Sequence, residues 1–418
     1  MTSSLIFSEI AELRNEKVNP ESVSGSRYIG LEHIEQNSLS LSGWGIAEDV
    51  DSQKQRFYEG DILFGKLRPY FRKVAIAPFD GICSTDIWVV RPVVKTDRDF
   101  LFYWMASEDF IARATNAAEG TRMPRAKWDW VSRFELPFMS PINRQRTGAI
   151  LRSLDDKIAH NRELSQTMEE IAQTLFRSWF VDFDPVKAKM AGEKPVGMDD
   201  ATAGLFPDTM QDSELGAIPD GWSVSSFNEI ASISKATVNP QKFPDVLFRH
   251  YSIPDFDRNR RPSMVTGVEI LSNKFQLASS AVLLSKLNPE TKRIWTVVNP
   301  AEGSVCSTEF IVLVPQSPSY LGFLHSIVRE PVFYERFASL ATGSTGSRQR
   351  VRPEEVLSIE CSLPKSNLIS KYSSIVQPLI EKSDGLRKEI ETLQKVRDSM
   401  LPRLVSGELR IPEDVLVS

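Results

Sequence analysis

The apolar positions of this chain follow two rhythms. From about Asn143 to Phe180, Leu151, Leu154, Ile158, Asn161, Ser165, Met168, Ala172, Leu175 and Trp179 alternate by three and four, which keeps one seam along one side of a helix. This predicts a helix roughly 55 Å long at the standard rise. The register returns at Val376, Leu379, Ser383, Leu386, Ile390, Leu393, Arg397, Met400 and Leu404, predicting a second long helix. The polar interruptions of the two seams fall at different places. Pro378 is expected in the first turn of the second helix or at a kink, and Pro402 at a kink or near its end. Ahead of each helix, short β-type runs broken by Gly and Pro predict a β-rich globular stretch.

The rhythms repeat because the text repeats. Leu151 to Trp179 aligns without gaps to Val376 to Leu404, a shift of about 225 residues. Upstream, Cys83-Ser84-Thr85-Asp86 is matched by Cys306-Ser307-Thr308-Glu309, and Ile87-Trp88-Val89-Val90 by Phe310-Ile311-Val312-Leu313. Ile62-Leu63-Phe64-Gly65-Lys66-Leu67-Arg68-Pro69 parallels Val282-Leu283-Leu284-Ser285-Lys286-Leu287-Asn288-Pro289. The expected division is a first globular domain over 1–142, a helix over 143–183, a linker over 184–213 rich in Gly and Pro, a second globular domain over 214–366, a helix over 367–404 and a tail over 405–418. The fold class is α+β: two β-rich domains separated by two long helices that form an antiparallel coiled coil, related by a pseudo-two-fold axis.

Composition changes this picture little. With 418 residues, 41% hydrophobic and 25% charged, the chain has the make-up of a globular protein with more than one core. No apolar run nears the roughly 20 residues of a membrane-spanning helix, and the polar N-terminus does not read as a secretory signal. Cys83, Cys306 and Cys361 are too few and too scattered for a disulfide framework or a metal site, so a reducing, cytoplasmic setting is expected. A net charge of −5 does not by itself announce a nucleic-acid binder, which usually shows a basic stripe.

The basic residues are clustered only locally. Lys66, Arg68, Arg72 and Lys73 interleave with Tyr70 and Phe71, and Lys286, Lys292 and Arg293 lie at matching positions. Such a run holds phosphates or reads guanine, or is a solvated hairpin. The loops Gly120 to Arg125, with Arg122, and Gly343 to Arg350, with Arg348, pair a glycine that lets backbone approach a phosphate with guanidinium donors; the alternative is a surface turn. Leu164, Ile171, Phe176 and Phe180 give the first helix more apolar surface than its seam needs, either for a partner or for the neighbouring globular domain. Enzyme signals are missing: there is no Gly-x-Gly-x-x-Gly and no phosphate-binding Walker loop. Glu290-Thr291-Lys292 mimics part of a nuclease motif, but its repeat partner carries Tyr70 in place of the acid.

The order domain, helix, domain, helix resembles the specificity subunit of a type I restriction-modification system over essentially the whole chain. The motifs that carry the resemblance are Gly65-Lys66-Leu67-Arg68-Pro69-Tyr70, Leu154-Asp155-Asp156-Lys157-Ile158, Leu175-Phe176-Arg177-Ser178-Trp179-Phe180, Gly343-Ser344-Thr345-Gly346-Ser347-Arg348 and Leu401-Pro402-Arg403-Leu404-Val405-Ser406-Gly407-Glu408. One departure is the N-terminus, which lacks the Pro-Asp-Gly-Trp entry found at Pro219 to Trp222. The resemblance implies two target-recognition domains that read a split, asymmetric site in double-stranded DNA, with the helices setting the unread gap. It further implies no catalysis by this chain, docked methyltransferase subunits, and a motor-nuclease subunit that joins for restriction. S-adenosylmethionine and ATP would then bind the partners. The rival expectations are a helical scaffold without sequence readout and a nuclease using Glu290 and Lys292.

Overall fold

A computed structural model describes residues 4–120, 122–342 and 349–412. It divides into two compact units, Met1–His160 with Ile390–Ser418, and Asn161–Glu389.

In the first unit, a four-stranded antiparallel sheet has the order Ala11–Arg14, Ile87–Pro92, Ile62–Gly65, Val74–Ile76. A five-stranded sheet has the order Lys17–Val18, Lys54–Phe57, Gly81–Cys83, Arg27–Ile29, Gly45–Ile46, with one parallel pair between Arg27–Ile29 and Gly81–Cys83. The run Ile87-Trp88-Val89-Val90 is apolar throughout because both faces of its strand are covered. Trp88 and Val90 join a core with Phe7, Phe100 and Trp104, whereas Ile87 and Val89 join another with Ile29, Phe57 and Cys83. Strand alternation thus splits one run between two cores.

The second unit repeats this plan strand for strand. Ala231–Ile233, Phe310–Pro315, Ala281–Ser285 and Ile294–Val297 form its four-stranded sheet. Thr237–Val238, Lys274–Gln276, Ser304–Cys306, Leu247–Tyr251 and Ser263–Thr266 form its five-stranded one, again with a single parallel pair. Ile311 and Leu313 enter one core, Phe310 and Val312 the other. The duplication read from the sequence is a duplication of topology.

The long helices run over Pro141–Phe180 and Ser366–Val405. Within the second unit their segments are antiparallel: Ser165 Oγ meets Ser383 Oγ at 2.8 Å, and the Tyr372 hydroxyl donates to the Ala172 carbonyl at 2.8 Å. These two polar seam positions therefore pair with each other, whereas Asn161 is buried with neither amide atom partnered among the described residues. Within the first unit, Arg397 donates to Asp155 at 2.6 Å, and the same carboxylate accepts from the Tyr103 hydroxyl at 2.6 Å. Every seam position described above is buried or half-buried. The short helices Arg98–Ala106 and Leu321–Ile327 each meet a long one through glycine, on opposite members. A Cβ on Gly148 of the first long helix would lie 2.5 Å from the Phe100 nitrogen, and one on Gly322 of the short helix 2.8 Å from the Ser373 Cα.

One local expectation is narrowed and one is corrected. Pro378 sits well inside the second long helix, which continues through it. Pro378 and Ser374 are both exposed, so water can serve the Ser374 carbonyl that the proline leaves without a donor. The stretch expected as a polar linker is ordered: it holds the helix Asp184–Met190 and the strand Met210–Ser213, and buries Val186 and Phe206 in the second unit's core. The second long helix ends just past Pro402, and Gly407 follows with φ of +76°, a conformation that closes helix ends and costs glycine nothing.

His325 is buried beside Arg329, and its Nδ1 lies 2.8 Å from the Thr296 hydroxyl. Burial first, then the neighbouring guanidinium, hold its pKa well below the ordinary histidine value. Below about pH 6.5 the unfolded chain takes up a proton that the folded unit refuses, so stability falls with acid by about 1.4 kcal/mol per pH unit for this one proton. Urea midpoints between pH 7 and 5.5 should show a shallower pH slope in His325→Gln; equal slopes would contradict this assignment.

Candidate nucleic-acid interface

In each copy, three segments distant in sequence are tied into one ridge. The strand Ile62–Gly65 runs into Lys66, whose N–H donates to the Asp86 carbonyl at 2.9 Å. The Lys66 carbonyl accepts from Ala126 N–H at 2.9 Å, and Arg68 N–H donates to the Pro124 carbonyl at 2.8 Å. In the second copy, Lys286 N–H donates to the Glu309 carbonyl at 3.0 Å, Val351 N–H to the Lys286 carbonyl at 3.1 Å, and Asn288 N–H to the Gln349 carbonyl at 3.1 Å. Arg68 and Asn288 both adopt left-handed backbone, at φ of +50° and +48°. The reversal is built the same way in both copies although the residue differs.

The repeated Cys-Ser-Thr-acid motif has its explanation here. Cys83 and Cys306 are buried at strand ends. Ser84 Oγ and Ser307 Oγ each accept from the N–H of the acidic residue two places on, at 3.2 Å in both copies. That carboxylate then holds the loop arginine by two bonds: Arg125 to Asp86 at 2.8 and 3.1 Å, Arg350 to Glu309 at 3.1 and 3.3 Å. These carboxylates hold both guanidinium pKa values above the ordinary arginine value. Each arginine is thus positioned by a fork-to-fork pair and partly neutralised by it.

The other basic residues separate into two groups. Lys66, Lys286 and Arg68 are half-buried on the ridge, and Arg122 is exposed with its carbonyl accepting from Arg68 Nη2 at 3.3 Å. Arg72 turns inward: its Nε–H donates to the Ala106 carbonyl at 2.6 Å, and burial lowers its pKa. Lys292, its counterpart, donates to the Arg329 carbonyl at 2.6 Å, with burial again lowering its pKa. Both cations satisfy a carbonyl at the C-terminal end of a short helix, on the last residue of Arg98–Ala106 and two residues past Leu321–Ile327, where the helix dipole favours positive charge. Arg72 is therefore structural, and Lys292 is committed to a carbonyl rather than to a reacting group. Arg348 lies outside the described residues.

Of the apolar candidates, Phe176 and Phe180 are core: they pack with Phe323 and Tyr372, with ring centroids 5.0 to 5.7 Å apart. They cover the neighbouring globular portion and offer no surface. Leu164 is half-buried and Ile171 is 49% exposed. Burial pushes the Cys306 and Cys361 thiols up to about 12, which removes the thiolate that reactivity needs. Among the described residues, no three His, Cys, Asp or Glu side chains converge as metal ligands, and no helix is long and apolar enough to cross a membrane.

Sequence reasoning missed the polar side chains next to the ridge. Arg14, Asn15, Lys17, Gln53 and Gln55 line a groove that also takes in Lys66. They belong to no motif; the available signal was that the two copies differ at these positions.

No family model matches the chain. It is 26% identical over 413 residues to the type I restriction enzyme MjaIX specificity subunit of Methanocaldococcus jannaschii, covering 95% of this chain and 87% of that one. It is 24% identical to the type I restriction enzyme HindI specificity subunit of Haemophilus influenzae, covering 87% and 89%. The crystal structure of a type I restriction-modification S subunit from M. genitalium has the same fold, with a TM-score of 0.58, 14% identity and 96% of each chain covered. The chain is thus similar along nearly its whole length to two specificity subunits of type I restriction enzymes, and it shares the fold of a third.

Proposed function

We propose that this chain reads a split, asymmetric sequence in double-stranded DNA for a type I restriction-modification complex and performs no chemistry itself. The observation that carries this reading is one fold built twice around one ridge, with different side chains on corresponding positions. A shared frame with divergent surfaces suits two different half-sites. Methyltransferase subunits dock on the chain, with Leu164 and Ile171 as part of the docking face, and a motor-nuclease subunit joins for restriction. S-adenosylmethionine and ATP bind those partners, and the complex works in the cytoplasm. The test is a chimera: with a methyltransferase partner present, exchanging one globular portion for that of a relative should change one half of the methylated sequence and keep the other. Equal affinity for every DNA sequence would instead favour a scaffold.

Within this reading Lys66, Lys286, Arg68, Arg122, Arg125 and Arg350 hold phosphates. Lys66→Ala is expected to weaken binding by a similar factor on all sequences and to reduce the slope of log affinity against log salt by about 0.9. Titrations of the assembled complex on target and non-target duplexes at several salt concentrations check this. A loss confined to the target would make Lys66 a base reader.

A further inference from the structure

The groove beside the ridge of the first unit has the features of a base-reading surface. The strand Lys54–Phe57 alternates between frame and groove. Lys54 is buried, with its ammonium on the carbonyl and hydroxyl of Ser52 at 2.7 Å each, and its counterpart Lys274 bonds Ser272 in the same way at 3.1 and 2.6 Å. Its neighbours Gln53 and Gln55 point to the other face and line the groove.

The register makes the comparison with the second copy exact by position. Gln55 lies opposite Lys17 and Cys83, and Phe275 opposite Thr237 and Cys306. The first copy's Arg14, Asn15, Lys17, Gln53 and Gln55 therefore become Ser234, Lys235, Thr237, Asn273 and Phe275, whereas Lys66 and Lys286 agree. Lys54 and Lys66 are kept as Lys274 and Lys286, whereas these five groove positions are changed, as two readers of different sequence require.

The groove also holds unmet polar atoms. Gln55 Oε1 and Arg14 Nε are buried with no partner among the described residues, which costs stability unless something arrives to meet them. Gln55 Nε2 donates to Asn15 Oδ1 at 2.9 Å. Beside that bond stand the unmet acceptor Gln55 Oε1 and the Nδ2–H donors of Asn15. Adenine offers the complement on its major-groove edge, an N6–H donor and an N7 acceptor, whereas guanine offers two acceptors.

We propose that Asn15 and Gln55 together read an adenine in the half-site of the first unit, and that the groove around Phe275 reads the other half-site differently. This rests on the DNA-reading function proposed above. The test maps methylation in cells that express the full chain with its methyltransferase partner, comparing the unaltered chain with Asn15→Ala and Gln55→Ala. Co-purification with the methyltransferase shows that each variant folds. The expected result is a preference for one A·T pair relaxed by about ten- to a hundred-fold, in one half of the motif, with the other half unchanged. An unchanged motif would overturn the proposal. So would an equal fall in methylation at every site by a variant that still co-purifies, since that marks contact without readout. If the unaltered chain directs no motif at all, the DNA-reading function itself fails, an outcome distinct from the other two.

Discussion

Asp97→Ala is expected to cost the first unit about 3–5 kcal/mol, the largest effect of any single polar change there. Asp97 is fully buried and Arg144 nearly so, and the guanidinium puts Nε and Nη2 on one carboxylate oxygen at 3.0 and 2.7 Å. Its remaining edge donates from Nη1 to the Met139 carbonyl at 2.9 Å. The pair joins the start of the short helix Arg98–Ala106 to the first turns of the long helix Pro141–Phe180. Removing the carboxylate strands a guanidinium out of reach of water, so the cost is that of an unpaired buried charge and exceeds the worth of the pair. Denaturant unfolding, followed by a probe in the first unit, measures it. A loss under about 1 kcal/mol, the range of exposed pairs, would show that water reaches Arg144.

Phe176→Ala is expected to cost the second unit about 3–5 kcal/mol, as truncation of a buried aromatic ring does when the site cannot collapse. Its neighbours Phe180, Phe323 and Tyr372 come from three different helical segments, so no single shift fills the void. The contrasting change is Ile171→Asp. That side chain is about half exposed, so stability should move by no more than about 0.5 kcal/mol, while affinity for the methyltransferase falls. Unfolding curves and co-purification separate the two. If Phe176→Ala were neutral for stability but abolished co-purification, the ring would belong to a docking face after all.

What could be read from the sequence was what repeats at short range or in register. The heptad-like seam marked both long helices, because a three-four alternation has one helical solution. The aligned blocks around Cys83 and Cys306 marked the duplication before any strand was placed. Pairings within the sheets were not legible, since Arg27–Ile29 joins Gly81–Cys83 across a long stretch and nothing local encodes that choice. Arg72 and Lys292 looked like surface charge for the same reason: the carbonyls they serve, on Ala106 and Arg329, are brought to them only by the fold. Phe176 and Phe180 showed that an apolar surplus on a helix says that something covers it, not what does. The groove carried no motif because a surface that differs between copies is the opposite of a repeat.

The most direct test of the central claim is to map DNA methylation in cells with and without this chain, keeping the methyltransferase partner present and active. Sequence readout by two different copies predicts a split, asymmetric motif, methylated only when the chain is present. Methylation that is the same with and without the chain would contradict it.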